Sequence, residues 1–140
     1  VEYEHFSQAP WQEDRWPNFK AVELACPHCG EYYHDEWMLD GIQYLRRNLN
    51  QPVQINSARR CAFYNASNKI GGAVHSQHKM RVAFDISIRN RDPAKILGLL
   101  REYGYSTFGF YGSFIHVDAR KNRKWSTKSG KKVWKSLVAF

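Results

Sequence analysis

Apolar residues recur every three or four positions in HDEWMLDGIQYLRRNLN, from Met38 through Ile42 and Leu45 to Leu49, and this period predicts an amphipathic helix. Acidic residues stand at its start and arginines near its end, as the helix dipole prefers. PVQINS alternates Val53 and Ile55 and predicts a short strand ending at Ser57, while ARRCAFYNASNKIGG predicts a turn and short helix closed by Gly71 and Gly72. In RVAFDISI the alternation is strict. Val82, Phe84, Ile86 and Ile88 share one face of a strand, and Ala83, Asp85 and Ser87 share the other.

RDPAKILGLLREYG carries a helix start at Asp92 and Pro93 and a stop at Gly104. TFGFYGSFIHVDAR predicts two strands around Gly112, with Phe114, His116 and Asp118 facing one way and Ile115, Val117 and Ala119 the other. The first ~30 residues, punctuated by Pro10, Pro17 and Pro27, predict no regular element. The expected class is therefore α+β: a single domain with a small, mostly antiparallel sheet packed with helices.

Composition narrows the partners. The chain has 140 residues, enough for one core and too few for two ordinary domains. No apolar run approaches the ~20 residues of a membrane span, and VEYEHFSQAP lacks the charged start and apolar centre of a secretory signal. A net charge of +8 favours an anionic partner such as nucleic acid, a lipid surface or bacterial cell wall. The excess lies in ARKNRKWSTKSGKKVWKSLVAF, where eight Lys or Arg face no acidic residue. Residues 126–140 are accordingly expected to form a basic tail behind a domain of residues 1–125, with Trp125 and Trp134 as aromatics able to stack on bases or sugars.

The chain's chemistry is concentrated in His, Asp and Cys. A catalytic zinc ion takes three protein ligands and leaves a position for water, and His78, Asp85 and His116 fall where neighbouring elements of one sheet can bring them together. His75 offers a second spacing with His78. CPHCGEYYH opens like a zinc knuckle with Cys26, Cys29 and His34, but the closing position holds Leu39. That leaves Cys26, Cys29 and Cys61 either as core thiols, with a disulfide to Cys61 in an oxidising space, or as ligands of a second, structural metal.

Taken in order, INSARR, YNASNKIGGAVHSQH, AFDI and FGFYGSFIHVDAR followed by RKW resemble the zinc D-Ala-D-Ala carboxypeptidase and L-alanyl-D-glutamate endopeptidase group of metallopeptidases. The chain is similar above all to the small cell-wall peptidases carried by phages and gene transfer agents. The resemblance implies Zn2+ held by His78, Asp85 and His116, with His75 at the rim. It implies Arg60 facing the substrate, with Arg59 as the adjacent alternative, and Ser76 and Tyr111 as substrate-binding residues. Two positions depart from the family pattern: Arg81 replaces a glycine after the first ligand, and Ser113 stands where many members place an acidic general base. Asp118, on the His116 face, is the nearest carboxylate and takes the catalytic role as base, or instead orients His116 or a substrate amine, with Glu102 as the residue to consider if the base lies elsewhere.

The implied function is zinc-dependent hydrolysis of an amide bond in the peptide stem of bacterial peptidoglycan by a monomeric phage-type endolysin or virion-associated lysin. Such a protein is made in the host cytoplasm and acts in the periplasm or wall after release. Its basic tail would adhere to the anionic wall, with nucleic acid not the expected partner. The alternative, favoured by Ser113, is a non-catalytic module that binds cell wall or nucleic acid through the same fold with a structural metal.

Overall fold

The computed structural model describes residues 1–61, Asn65 and residues 77–140. The expected turn and helix closed by Gly71 and Gly72 therefore lie outside the described residues, apart from their first positions and Asn65. Short strands β1 (Glu2–Tyr3) and β2 (Tyr32–Tyr33) pair antiparallel, with 3-10 turns at Phe6–Gln8 and Ala21–Leu24 between them. The main sheet contains β3 (Ile55–Ser57), β4 (Ala83–Ser87), β5 (Thr107–Phe110), β6 (Phe114–Asp118) and β7 (Lys124–Ser126), in the order β3-β4-β6-β5-β7. All neighbouring pairs are antiparallel except β5 and β7. The helices are α1 (Glu36–Leu49), α2 (Gln77–Met80), α3 (Pro93–Tyr103) and α4 (Lys128–Trp134).

The helix starts and stops follow from side chains identified in the sequence. Asp35 accepts the Met38 amide at 3.0 Å, and Asn50 in the left-handed conformation ends α1. Asp92 accepts the Ala94 amide at 3.0 Å, Pro93 occupies the first turn, and Gly104 closes α3. The apolar stripes Met38, Ile42, Leu45 and Leu49 of α1 and Ile96, Leu97 and Leu100 of α3 are buried in one core. Phe84, Ile86, Ile115, Val117, Phe108 and Phe110, from one face of the sheet, join the same core.

The N-terminal segment, expected to hold no regular element, contains the short β1 and two 3-10 turns, is irregular elsewhere, and is anchored. Trp16 is wholly buried, its Nε1 donates to Asp40, and Arg15 grips the same carboxylate with two further bonds. A close approach joins α1 to the second residue after α3: the Tyr105 ring lies directly on Gly41 and donates its hydroxyl to the Met38 carbonyl at 2.7 Å. A methyl at residue 41 would overlap that ring. Gly41→Ala gains about 1 kcal/mol of helix propensity but overpacks a fixed, buried tyrosine. The net loss is expected to be about 1–2 kcal/mol, measured as a lower urea midpoint with unchanged slope.

Residues 126–140 are more than a tail. β7 adds to the sheet edge, Thr127 caps α4 by accepting the Gly130 amide, and Trp134 is wholly buried, donating its Nε1 to the Tyr111 carbonyl at 2.9 Å. Val138 is buried in the same core. Dense lysines conceal this pattern in the sequence, because Gly130, Trp134 and Val138 recur at helical spacing among Lys128, Lys131, Lys132 and Lys135, all exposed.

Candidate metal centre

The sheet register assembles the site. Asp85 on β4 lies directly opposite His116 on β6, which lies opposite Gly109 on β5, which in turn pairs with Trp125 on β7. These four residues form one row across the face opposite the apolar core. His78 arrives from α2, and its ring meets that of His116 nearly edge-on at 5.1 Å between centroids.

His78 Nε2 and His116 Nδ1 both approach Asp85 Oδ1, at 3.1 and 3.0 Å. One donor atom from each of the three residues lies within 4.8 Å of the others. The far side of each imidazole is committed. His78 Nδ1–H donates to the Ala58 carbonyl at 2.6 Å, and His116 Nε2–H donates to Asp118 Oδ2 at 2.8 Å. These bonds leave His78 Nε2 and His116 Nδ1 as the nitrogens aimed at the common point, an arrangement that fixes ring orientation in metal sites. Two imidazoles and a carboxylate are borderline and hard donors suited to a divalent ion such as zinc, and the three residues present fit one.

Asp118 is the most enclosed group here, with no exposed surface. Its Oδ2 takes His116 Nε2–H and an Arg120 guanidinium N–H at 2.8 Å, while its Oδ1 takes the Arg120 amide and Nε–H, both at 3.0 Å. Four donors fill its lone pairs. Burial works to raise its pKa, but His116 and Arg120 outweigh burial and hold the carboxyl well below the usual range. Asp85 shows the same balance, with burial opposed by hydrogen bonds from His116 and His78 and the net result strongly downward. Burial alone would lower His116, and its two carboxylate partners raise it instead.

Arg59 and Arg60 separate cleanly. Arg59, 4% exposed, donates to Glu2 at 3.0 Å, to Glu31 at 2.7 Å and to the Arg81 carbonyl at 2.7 Å. It is a structural cation that ties the N-terminus to the segment after α2. Arg60 is half-buried, and its amide donates to the His78 carbonyl at 2.6 Å, which places it beside the first histidine. Glu102 lies on α3, where it accepts the Tyr44 hydroxyl at 2.6 Å. His34 is buried against Tyr32 and Glu36. Ser76 and His75 lie outside the described residues.

Trp125, which ends the RKW block, packs against the site itself. Its ring sits 4.9 Å from that of His116, and its Nε1 donates to the Tyr111 hydroxyl at 3.0 Å. Gly109 permits this, since a Cβ there would stand 2.6 Å from Trp125 Cε2. Tyr111 in turn stacks on Phe114 at 4.3 Å. Trp125 and Tyr111 thus make an aromatic wall on the β5–β7 side of His116.

Two buried histidines and a half-buried aspartate on an α+β sheet form a donor set able to hold a divalent metal ion. The sequence matches the family model described as Peptidase M15 over residues 18–118, and the chain belongs to that family of metallopeptidases. The matched span contains all three donors. No curated protein and no solved structure matches the chain.

Proposed function

We propose that the protein is a zinc-dependent peptidase that hydrolyses an amide bond in the peptide stem of bacterial peptidoglycan, of the kind that phages carry as endolysins or virion-associated lysins. The observation that carries this reading is the convergence of His78 Nε2, Asp85 Oδ1 and His116 Nδ1, each imidazole oriented by a bond on its far side, inside a Peptidase M15 match. Zinc, when bound, supplies polarisation of the scissile carbonyl and activation of water near neutral pH. His78, Asp85 and His116 hold it. Arg60, beside His78, binds a substrate carboxylate or carbonyl through its guanidinium. Tyr111 and Trp125 align the stem peptide beside His116, and Ser76 is the further substrate contact.

Of the two roles the sequence leaves to Asp118, catalytic base and support of His116, its surroundings favour the second. A carboxylate with four donors and no exposed surface has little capacity to accept a proton from water. Asp118 is better suited to hold His116 in the Nδ1-ligating orientation, with Arg120 completing the chain of contacts. All three metal donors and Arg60 come from one chain, so a monomer suffices.

The substrate lies in the periplasm or wall, where the protein acts. The exposed Lys128, Lys131, Lys132 and Lys135 on and beside α4 give it a cationic face for the anionic polymer. Replacing these four lysines with glutamine is expected to weaken binding to isolated sacculi at low salt. The difference should vanish at high salt, where the screening length falls to ~3 Å, and cleavage of a soluble stem peptide should not change. Equal sedimentation of both proteins with sacculi at low salt would remove α4 from the account.

The function itself is tested by release of new amino groups from purified sacculi. The zinc-loaded protein is expected to release them, a chelator to stop the release, and zinc to restore it. Binding to sacculi without any release, with or without zinc, would favour the non-catalytic module that the Ser113 substitution suggests.

A further inference from the structure

A second cluster of metal-binding side chains lies apart from the histidine site. Cys26, Cys29 and Cys61 bring their Sγ atoms within 4.8 Å of one another, and Cys61 Sγ lies 3.4 Å from His28 Nδ1. No disulfide joins them. The sequence reading offered core thiols as one option, but only Cys26 is buried; Cys29 is exposed and Cys61 half-exposed, so packing does not account for the cluster.

The backbone around Cys26 is built for a sulfur anion. The Cys61 amide hydrogen-bonds to its Sγ at 3.3 Å, and the nearby His28 and Cys29 amides add to the stabilisation of its thiolate. The turn that carries His28 and Cys29 is closed by the Gly30 amide on the Cys26 carbonyl at 2.8 Å, and Gly30 has a φ of +80°, where a side chain would be strained and would strike His5. A thiol is a weak acceptor, and backbone N–H groups gathered around one sulfur suit a thiolate or a metal-bound sulfur.

We propose that Cys26, Cys29 and Cys61, with the neighbouring His28 turning in from beside Cys61 as fourth donor, bind a structural zinc ion separate from the catalytic one. Three thiolates and an imidazole form a closed tetrahedral set with no position left for substrate. The three thiols give up their protons to solvent on binding. A disulfide would use two of the sulfurs and strand the third.

The ion has a definite task. Cys26 and Cys29 belong to the N-terminal segment, whereas Cys61 ends the stretch Ala58–Arg59–Arg60. Along that stretch the Ala58 carbonyl accepts His78 Nδ1–H, the Arg59 amide donates to Leu24, and the Arg60 amide donates to His78. Zinc at the cysteines would pin this stretch at its far end and so stiffen the support of the first catalytic ligand.

The test uses the full chain purified under reducing conditions. Elemental analysis should find about two zinc ions per chain, and replacement by cobalt should produce the intense near-ultraviolet thiolate-to-cobalt band. His116→Ala should lose about one zinc and keep the band; Cys61→Ser should lose about one zinc and the band. A mercurial that caps thiols should release about one zinc from the unaltered protein, a readout that needs no variant to fold. Absence of the cobalt band from the unaltered protein, or a thiol titration showing a disulfide in the protein as isolated from reductant, would overturn the second site. Either result would leave the histidine site standing, because His116→Ala reports on that site alone.

Discussion

Replacing His116 with alanine is expected to abolish peptidase activity and to empty the histidine site. His116 contributes one of three donors, and it also links the site to Asp118 through the 2.8 Å bond on its far nitrogen. Two remaining donors, His78 and Asp85, make a poor zinc site, since catalytic zinc rests on three protein ligands. The fold should survive. Asp118 keeps its three bonds from Arg120, so the substitution leaves no unpaired buried charge. Activity should fall to the level of a chelator-treated sample, and far-ultraviolet circular dichroism should match the unaltered protein. His78→Ala should behave in the same way. Retention of activity by either folded variant would remove that residue from the site.

Asp118 has the second largest expected effect, and its two candidate roles give different signatures. As the partner that orients His116, it should matter chiefly for metal affinity, with a loss of ~10–100-fold on substitution. As a general base it would matter for turnover, with a loss of ~10²–10⁴-fold that persists when the metal site is saturated. The enclosed, four-donor geometry points to the first role. Asp118→Asn keeps an oxygen for His116 Nε2–H, so saturating zinc should bring its turnover to within about tenfold of the unaltered protein. Asp118→Ala offers no acceptor at all and should bind zinc more weakly than the Asn variant. A zinc-saturated Asn variant that remains thousands of times slower would return the base role to Asp118.

The site was legible wherever its residues sit on strongly patterned elements. Alternation in RVAFDISI and FIHVD puts Asp85 and His116 on faces opposite the apolar residues, and antiparallel pairing then sets them side by side. The capped, periodic helices α1 and α3 were equally plain. What stayed hidden depends on contacts distant in sequence. Trp125 reaches His116 only because β7 joins β5 in parallel across a glycine, and no local period announces either fact. Trp134 was masked by lysines, which carry enough charge to make a buried helix face read as a solvated tail. Neighbouring arginines 59 and 60 look alike in the sequence, and only the packing of Glu2 and Glu31 against Arg59 distinguishes the structural cation from the one beside His78. The Cys26–Cys29 spacing was visible, whereas the arrival of Cys61 is a tertiary event.

The central claim is hydrolysis of a stem-peptide amide at the site formed by His78, Asp85 and His116. It is tested most directly by mass spectrometry of muropeptides after incubation with the zinc-loaded protein, with His116→Ala as the paired control. The account predicts fragments that together gain one water at a single type of stem-peptide bond, formed by the unaltered protein and absent with the variant. Identical muropeptide profiles for the two proteins, under conditions where the unaltered one has its zinc and binds the wall, would contradict it.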